Sequence, residues 1–557
     1  MTGDTIMKPR LEDLTLREKI GQTCIIREFS YKDTGDYKKY FTENPVGCTW
    51  SCGEKREDFA KIEADLGGNI EEGYIDDLHK DFVNVVNSLV KVPTIPVMDA
   101  NNGIPQSKVP GHAGLPFATG LGATRDPELA FEYGRLLGLD LRLAGIRWLW
   151  SPVADNSEHF KDLRELSSDH ENNATLLAAF IKGVQSAGVA TGAKHFPGSD
   201  PYEYRDTHFC TASYSQSFEY WEKTQALEFK ACIEAGADSI MVGHDTFRAV
   251  DDTLVDGRLL PCTLSKKVIT GLIKGKMGFK GVVITDDAAM KAFTAVYGSK
   301  KSYIAALNAG IDMILGPTDL DYIDIVEEAV KNGEISESRI DDACQRILDM
   351  KDKYGIFEAG PYTHPTEEER EAVRVKIHKL SEKIAAKGLT MTVNSVGMVP
   401  LNRNNIKKVK MVYMGYSDNC YENLQYAVDE FARYGAKCEL QRGFSDEDNK
   451  TLKDYDLIVY ATYIGLFAPE GGPFFFGKDC WSLQKIMTVE IDKSIGVSFG
   501  NPDIYFNYFT AAKTFVNCYG YNEESVRGFV KGLYGDITFT DYAPFPLNPI
   551  TRTNNVY

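Results

Sequence analysis

The run "GVVITDDAAM", Gly281–Met290, places four β-branched residues, Val282 to Thr285, directly before two carboxylates, Asp286 and Asp287. β-Branched residues pack well on a pleated surface. A short apolar run without alternation reads as a strand buried on both faces, as in a parallel sheet. The charge begins where the strand ends. The same signature recurs upstream in "TIPVMD" (94–99), "IRWLWSPVAD" (146–155), "VATGAKHF" (189–196) and "SIMVGHD" (239–245), and downstream in "MILGP" (313–317). These runs finish on Asp99, Asp155, Lys194 with His195, His244 and Pro317.

Helical patterns separate the runs. They include "DPELAFEYGRLLGLDLRLAG", "SFEYWEKTQALEFKACIEAG" and "SKKVITGLIKGKMG". The first and third open on the N-cap types Asp126 and Ser265, and all three close at a glycine. Strand–helix repetition of this kind predicts either a TIM-type barrel or a doubly wound sheet. A doubly wound sheet gathers its ligand groups at one switch point, often with a glycine fingerprint. The only such candidate, "GLGATRD", lacks the third glycine and follows no strand. Chemistry delivered by the ends of several strands is instead the mark of a barrel's catalytic face. We therefore expect an α/β chain: a TIM-type (β/α)8 barrel followed by a smaller three-layer α/β sandwich domain.

The second region alternates as well, through "KVKMVYMGY", "AKCELQR", "DLIVYATYIG", "SIGVSFGNP" and "TFVNCYGY". Between the regions, "PTEEEREAVRVKIHKLSEKIAAKG" reads as a charged surface helix. The expected division is a catalytic barrel over 1–365, a connecting helix over 366–390 and a sandwich domain over 391–557. A chain of 557 residues is too long for one ordinary core.

Composition narrows the class. The chain is 43% hydrophobic and 25% charged, with a net charge of -18, which argues against a general nucleic-acid binder. The opening "MTGDTIMKPRLEDLTLREKIGQ" lacks the basic-then-apolar pattern of a signal peptide, and no apolar run approaches transmembrane length. Eleven scattered cysteines do not form a disulfide framework. A cytoplasmic protein with reduced cysteines, not acting on membranes, is the expectation. Cys48 and Cys52 are read as ordinary thiols in a loop, since no partner pair completes a zinc site.

The residues themselves leave several chemistries open. Neighbouring side chains on a strand diverge, so one of Asp286 and Asp287 faces a pocket while the other braces the loop. A carboxylate there can serve as nucleophile, base, metal ligand or helix N-cap. In "KHFPGSDPYEYRDTH" (194–208), Lys194 and His195 are donors for sugar or carboxylate oxygens. Both can reach one ligand only where the backbone is irregular. Asp206 can fix the tautomer of His208 as in triad chemistry, or the two make routine turn contacts. Trp148 and Trp150 are expected to pack inside the barrel, and His244 to line or support the pocket. The aromatic loop "APEGGPFFFG" (468–477) is expected to cover the site, to form a subunit contact or to pack locally.

Taken together, "KHFPG", the later "DTH" and "GFKGVVITDDAAM" resemble glycoside hydrolase family 3, nearest its β-N-acetylglucosaminidase subgroup. The subgroup's pattern is roughly K-H-F-P-G-H-G, a short gap, then D-S/T-H. "LTLREKIGQ", "GLGATRDPEL", "AGIRWLWSPVAD", "LPCTLSKKVITGLIKGKMGFKGVVITDD", "ALNAGIDMILGP" and "RILDMKDKYGIFEAGPY" extend the likeness over most of 14–360. The resemblance implies a retaining, exo-acting β-N-acetylglucosaminidase that forms a covalent glycosyl-enzyme on Asp286. It implies His208 as acid/base with Asp206 as its partner, and Asp99, Arg164, Lys194 and His195 as binders of sugar hydroxyls. No metal or organic cofactor is implied. The substrate is a small oligosaccharide or glycoside.

The pattern also departs from the subgroup. Ser199-Asp200 stands for the usual H-G, and the loop to "DTH" is one residue longer. "DANNG" (99–103) replaces D-Q-E-G-G and is similar to the D-A-x-H-G of family 3 β-glucosidases; Ser107-Lys108 lies near the place of an expected Arg. A β-glucosidase therefore stays open. So does a β-N-acetylglucosaminide or β-glucoside phosphorylase, because a neutral imidazole does not repel phosphate as acceptor. An inactive sugar-binding protein is the non-enzyme alternative.

Overall fold

The computed structural model describes residues 8–28, 36–51, 75–103, 112–157, 162–203, 205–465, 483 and 485–545. Cys52, Ser107-Lys108 and the 468–477 loop lie outside them. The chain forms two compact units: residues 1–113, 130–155 and 174–374, and residues 114–129, 156–173 and 375–557.

The first unit is a closed barrel of eight parallel strands: β1 (Cys24–Arg27), β2 (Cys48–Ser51), β3 (Ile95–Met98), β4 (Trp148–Leu149), β5 (Ala190–Phe196), β6 (Ser239–Val242), β7 (Val282–Asp287) and β8 (Met313–Leu315). Each pairs with the next, and β8 closes on β1 through Cys24↔Ile314 and Ile25↔Leu315. The six runs read from sequence are β3 to β8. β1 and β2 escaped that reading. "CIIR" follows the helix Leu16–Gln22 with only Thr23 between them and no turn residue. "CTWS" contains no Val, Ile or Leu. The loop placement of Cys48 is thereby corrected: it opens β2, pairs with Ile25 and Ile95, and is fully buried.

Trp148 and Trp150 fill the barrel interior. Their rings meet edge-on at 6.0 Å, and Trp148 Nε1 donates to Ser239 Oγ at 3.0 Å. Removing such a ring from water contributes roughly 4 kcal/mol if ~150–200 Å² is buried. At the opposite end from the strand termini that carry charge, Lys351 Nζ is buried and donates to Gln22 Oε1 (2.6 Å) and Pro93 O (2.7 Å). Burial pushes this amine down to about 7.

Two helical expectations change. "SFEYWEKTQALEFKACIEAG" is two helices, Phe218–Lys223 and Gln225–Glu234, broken at Thr224. Gln225, just after the break, is buried; its Nε2 donates to Ser199 O (3.0 Å) and its Oε1 accepts from Tyr214 OH (2.6 Å). Lys267–Lys276 winds as a π-helix, with Met277 N–H reaching Leu272 O at 2.8 Å.

The second unit holds a six-stranded sheet: β9 (Thr390–Asn394), β10 (Lys408–Gly415), β11 (Lys437–Arg442), β12 (Leu457–Tyr463), β13 (Ser494–Ser498) and β14 (Thr514–Asn517). The order is β9-β14-β13-β12-β10-β11, and only the β9–β14 pair is antiparallel. Val409, Met411 and Tyr413 enter one apolar core with helix Glu523–Leu533, while Val412 and Met414 enter another on the opposite face. That two-residue period defines a sheet covered on both sides, a three-layer sandwich. Gly122 in helix Ala118–Thr124 packs here. A Cβ on it would lie 1.9 Å from Leu166 O, so the glycine of "GLGATRD" serves close backbone packing. Among the described residues, no helix is long and apolar enough to cross a membrane.

Candidate active site

The eight barrel strands are parallel, so their C-terminal ends lie at one barrel mouth. β7 ends with Asp286 and Asp287. The Asp287 backbone N–H donates to Asp286 Oδ1 at 2.7 Å. Asp286 Oδ2 lies 4.0 Å from His195 Nε2. Burial works to raise the Asp286 pKa, but His195, His244, the Asp287 N–H and Lys194 overcome it and hold the carboxyl below the ordinary aspartate value. The group is an anion at neutral pH; Oδ1 accepts the Asp287 N–H, and His195 Nε2 stands 4.0 Å from Oδ2.

Lys194 and His195 both face this mouth. The pairing of β5 with β6 slips between Ala193 and Phe196. The alternation of a regular strand is thus interrupted at the position where two consecutive side chains are needed on one side. Lys194 is 1% exposed and its Nζ lies 2.7 Å from Asp99 Oδ1. Asn101 Nδ2 also donates to Asp99 Oδ1. His195 Nδ1 contacts Asp155 Oδ2 at 3.1 Å. Asp155 was visible in the sequence as a strand end, but its pairing with an imidazole forty residues on was not.

His244 is buried, with Nε2 3.0 Å from Asp287 O and Nδ1 3.0 Å from Thr263 Oγ1. A carbonyl only accepts, so Nε2 carries the proton. Burial lowers the His244 pKa despite the nearby carboxylates, which fits a neutral ring accepting the Thr263 hydroxyl at Nδ1.

Asp206 and His208 occupy the loop after β5. Asp206 Oδ1 lies 2.8 Å from His208 Nδ1 and accepts the His208 backbone N–H at 2.9 Å. The His208 side chain is 41% exposed. The loop is tied at several points. His208 O and Thr207 O accept the N–H groups of Lys291 and Ala292, just beyond β7, each at 3.2 Å. Buried Asp200 accepts from Tyr202 N (2.8 Å), Ser215 N (2.6 Å) and Ser215 Oγ (2.7 Å). The Ser199-Asp200 departure therefore installs a carboxylate knot at the root of the loop.

Asp200→Ala is expected to lower kcat roughly 10- to 100-fold through misplacement of His208, with KM nearly unchanged. Steady-state kinetics beside a melting curve checks this; a parental kcat would show that the knot is dispensable.

Arg164 belongs to the second unit, where its Nε donates to Asp162 Oδ2 and its backbone N–H to Oδ1, both at 2.8 Å. Sequence reasoning missed Arg27, the last residue of β1, which ion-pairs with Asp287 across the barrel mouth and lies 5.2 Å over the Trp50 ring. Its signal was present, a charge closing an apolar run, but in a strand too short to be seen.

A parallel barrel whose strand ends present an ionised aspartate, a lysine and histidines, with a carboxylate–imidazole pair on an adjoining loop, has the equipment of a carbohydrate-processing enzyme. The model of the glycosyl hydrolase family 3 N terminal domain matches residues 15–350, and the chain belongs to that family. It is a glycoside hydrolase by membership. A Cellulomonas fimi β-N-acetylglucosaminidase/β-glucosidase is 24% identical over 83% of this chain and 86% of its own length. A Xylella fastidiosa β-hexosaminidase is 32% identical over 40% of this chain and 67% of its own. Among solved structures, a family 3 β-N-acetylglucosaminidase from Paenibacillus sp. superposes with a TM-score of 0.76 at 25% identity, covering 96% of this chain and 99% of that one. The β-glucoside phosphorylase BglX superposes at 0.80 with 22% identity over 96% and 94%, a likeness of fold.

Proposed function

We propose that this chain is a retaining, exo-acting β-N-acetylglucosaminidase that removes terminal β-linked N-acetylglucosamine. The observation that carries the reading is the combination of an ionised Asp286, whose Oδ1 accepts the Asp287 N–H, and a His208 whose Nδ1 is held by Asp206. In the first step Asp286 Oδ2 bonds to the anomeric carbon as its bond to the aglycone oxygen breaks. The proton on His208 Nε2 passes to that oxygen. In the second step His208 Nε2 takes a proton from water, the water oxygen bonds to the anomeric carbon, and the Asp286 carboxylate departs. Asp206 selects the proton-bearing nitrogen and balances the imidazolium charge. Lys194, His195 and Asp99 hold the ring hydroxyls. The Cellulomonas relative's name, which gives β-N-acetylglucosaminidase beside β-glucosidase, and the Xylella relative's, which gives β-hexosaminidase, support an amino-sugar preference.

Phosphorolysis is the second reading. An imidazole replaces the carboxylate that would repel phosphate, and phosphate, already an anion, attacks the glycosyl-enzyme without a base. A β-glucoside preference is the third, favoured by "DANNG" at 99–103. One panel separates them: aryl β-N-acetylglucosaminide and aryl β-glucoside, each with and without phosphate. Free N-acetylglucosamine as the main product in both buffers is expected. Sugar 1-phosphate accumulating in phosphate buffer would overturn hydrolysis as the main reaction.

A further inference from the structure

Asp287 takes no part in the proposed chemistry, yet every polar group it owns is engaged. Its N–H is on Asp286 Oδ1 (2.7 Å), and its carbonyl accepts His244 Nε2–H (3.0 Å). Its Oδ1 accepts the Ala289 N–H (3.0 Å), and its Oδ2 accepts from Arg27. Arg27 arrives from β1, with its guanidinium over the Trp50 ring of β2. After β8, Gly316 makes room. It has φ +58, and a Cβ there would stand 2.9 Å from Asp287 Oδ1 and 3.5 Å from the Arg27 guanidinium carbon. The register between β7 and β8 also slips here, from Ile284↔Met313 to Asp287↔Leu315.

We propose that Arg27 is a positioning residue for the nucleophile: by neutralising Asp287 and, together with His244 on the Asp287 carbonyl, fixing that residue in place, it keeps the Asp287 N–H on Asp286 Oδ1 and leaves Oδ2 to attack. This rests on Asp286 being the nucleophile. A plain surface salt bridge would serve stability alone. This pair differs in that the residue it holds supplies, through its own N–H, a hydrogen bond to the reacting carboxylate. The groups acting on Asp286 are Lys194 and His195 from β5, His244 after β6, and the Asp287 N–H; Arg27 is paired with the Asp287 side chain next to it. Losing Arg27 leaves an uncompensated anion beside Asp286, which opposes ionisation of the nucleophile.

The test is the pH dependence of kcat/KM for 2,4-dinitrophenyl β-N-acetylglucosaminide. That leaving group needs no proton, so titration of His208 and Asp206 drops out of the first step. Arg27→Gln is expected to move the acidic limb up by about one pH unit and to lower the plateau about tenfold or more. Arg27→Lys, which keeps the charge, is expected to leave the limb in place. The double variant Arg27→Gln with Asp287→Asn has no unpaired anion, so its limb returns to the parental position while the plateau stays low. If Arg27→Gln does not fold, the double variant is read in its place. A parental limb and plateau in Arg27→Gln, or a parental plateau in the double variant, would overturn the proposal. Should Asp286→Ala retain turnover, the nucleophile assignment fails instead, so the two failures are told apart.

Discussion

Asp286→Ala is expected to lose on the order of 10⁴-fold or more in kcat on an aryl β-N-acetylglucosaminide. Without the carboxylate there is no covalent intermediate and no anion facing the developing oxocarbenium ion. The melting temperature should change little, because among the described residues the close hydrogen bond to this side chain comes from its own neighbour's N–H. Azide gives a sharper reading than rate alone. A small anion in the vacated space should restore part of the turnover and yield the α-glycosyl azide, the product of a single inversion. A variant with kcat within tenfold of the parent would remove Asp286 from the nucleophile's role.

His208→Ala should lose about 10²- to 10⁴-fold in kcat/KM on substrates with poor leaving groups, the usual range for a missing general acid. On the dinitrophenyl substrate the same variant should keep most of its kcat/KM, since that departure needs no proton. Its second step, which needs a base for water, should become limiting and show a burst of dinitrophenolate. Added azide should relieve the block. Asp206→Asn should fall between parent and His208→Ala, because the ring remains but its Nδ1 partner, now 2.8 Å away as a carboxylate, loses its charge. Equal losses on good and poor leaving groups in His208→Ala would show that His208 positions substrate rather than moving a proton.

Much of the barrel was legible because its strands share one grammar: a short β-branched run that stops at a charge. β7 and β5 announce themselves this way, and so do the site residues Asp286, Lys194 and His195. β1 and β2 do not, since four residues of "CIIR" or "CTWS" carry too little periodicity to stand out from the helix and loop around them. The Asp206–His208 contact is local and could be read from a two-residue spacing. The Arg27–Asp287 pair could not, because 260 positions separate its members and only closure of the barrel brings them together. The break at Thr224 was hidden for a similar reason. A helical pattern runs through it, and only the tertiary demand for Gln225 beneath the 197–216 loop overrides the propensity.

The second unit is assembled from three separate lengths of chain. Phe117 and Leu163, from the two earlier lengths, share an apolar cluster with Phe545, near the end of the third. Such a body cannot be excised as a single cassette: a cut near residue 390 would strand 114–129 and 156–173 without the surfaces they are built to cover. During synthesis these segments emerge several hundred residues before Phe545, so they must wait, apolar side chains uncovered, until the last strand and helix have left the ribosome. That interval is the chain's most exposed moment to aggregation, and it is set by connectivity rather than by any one contact.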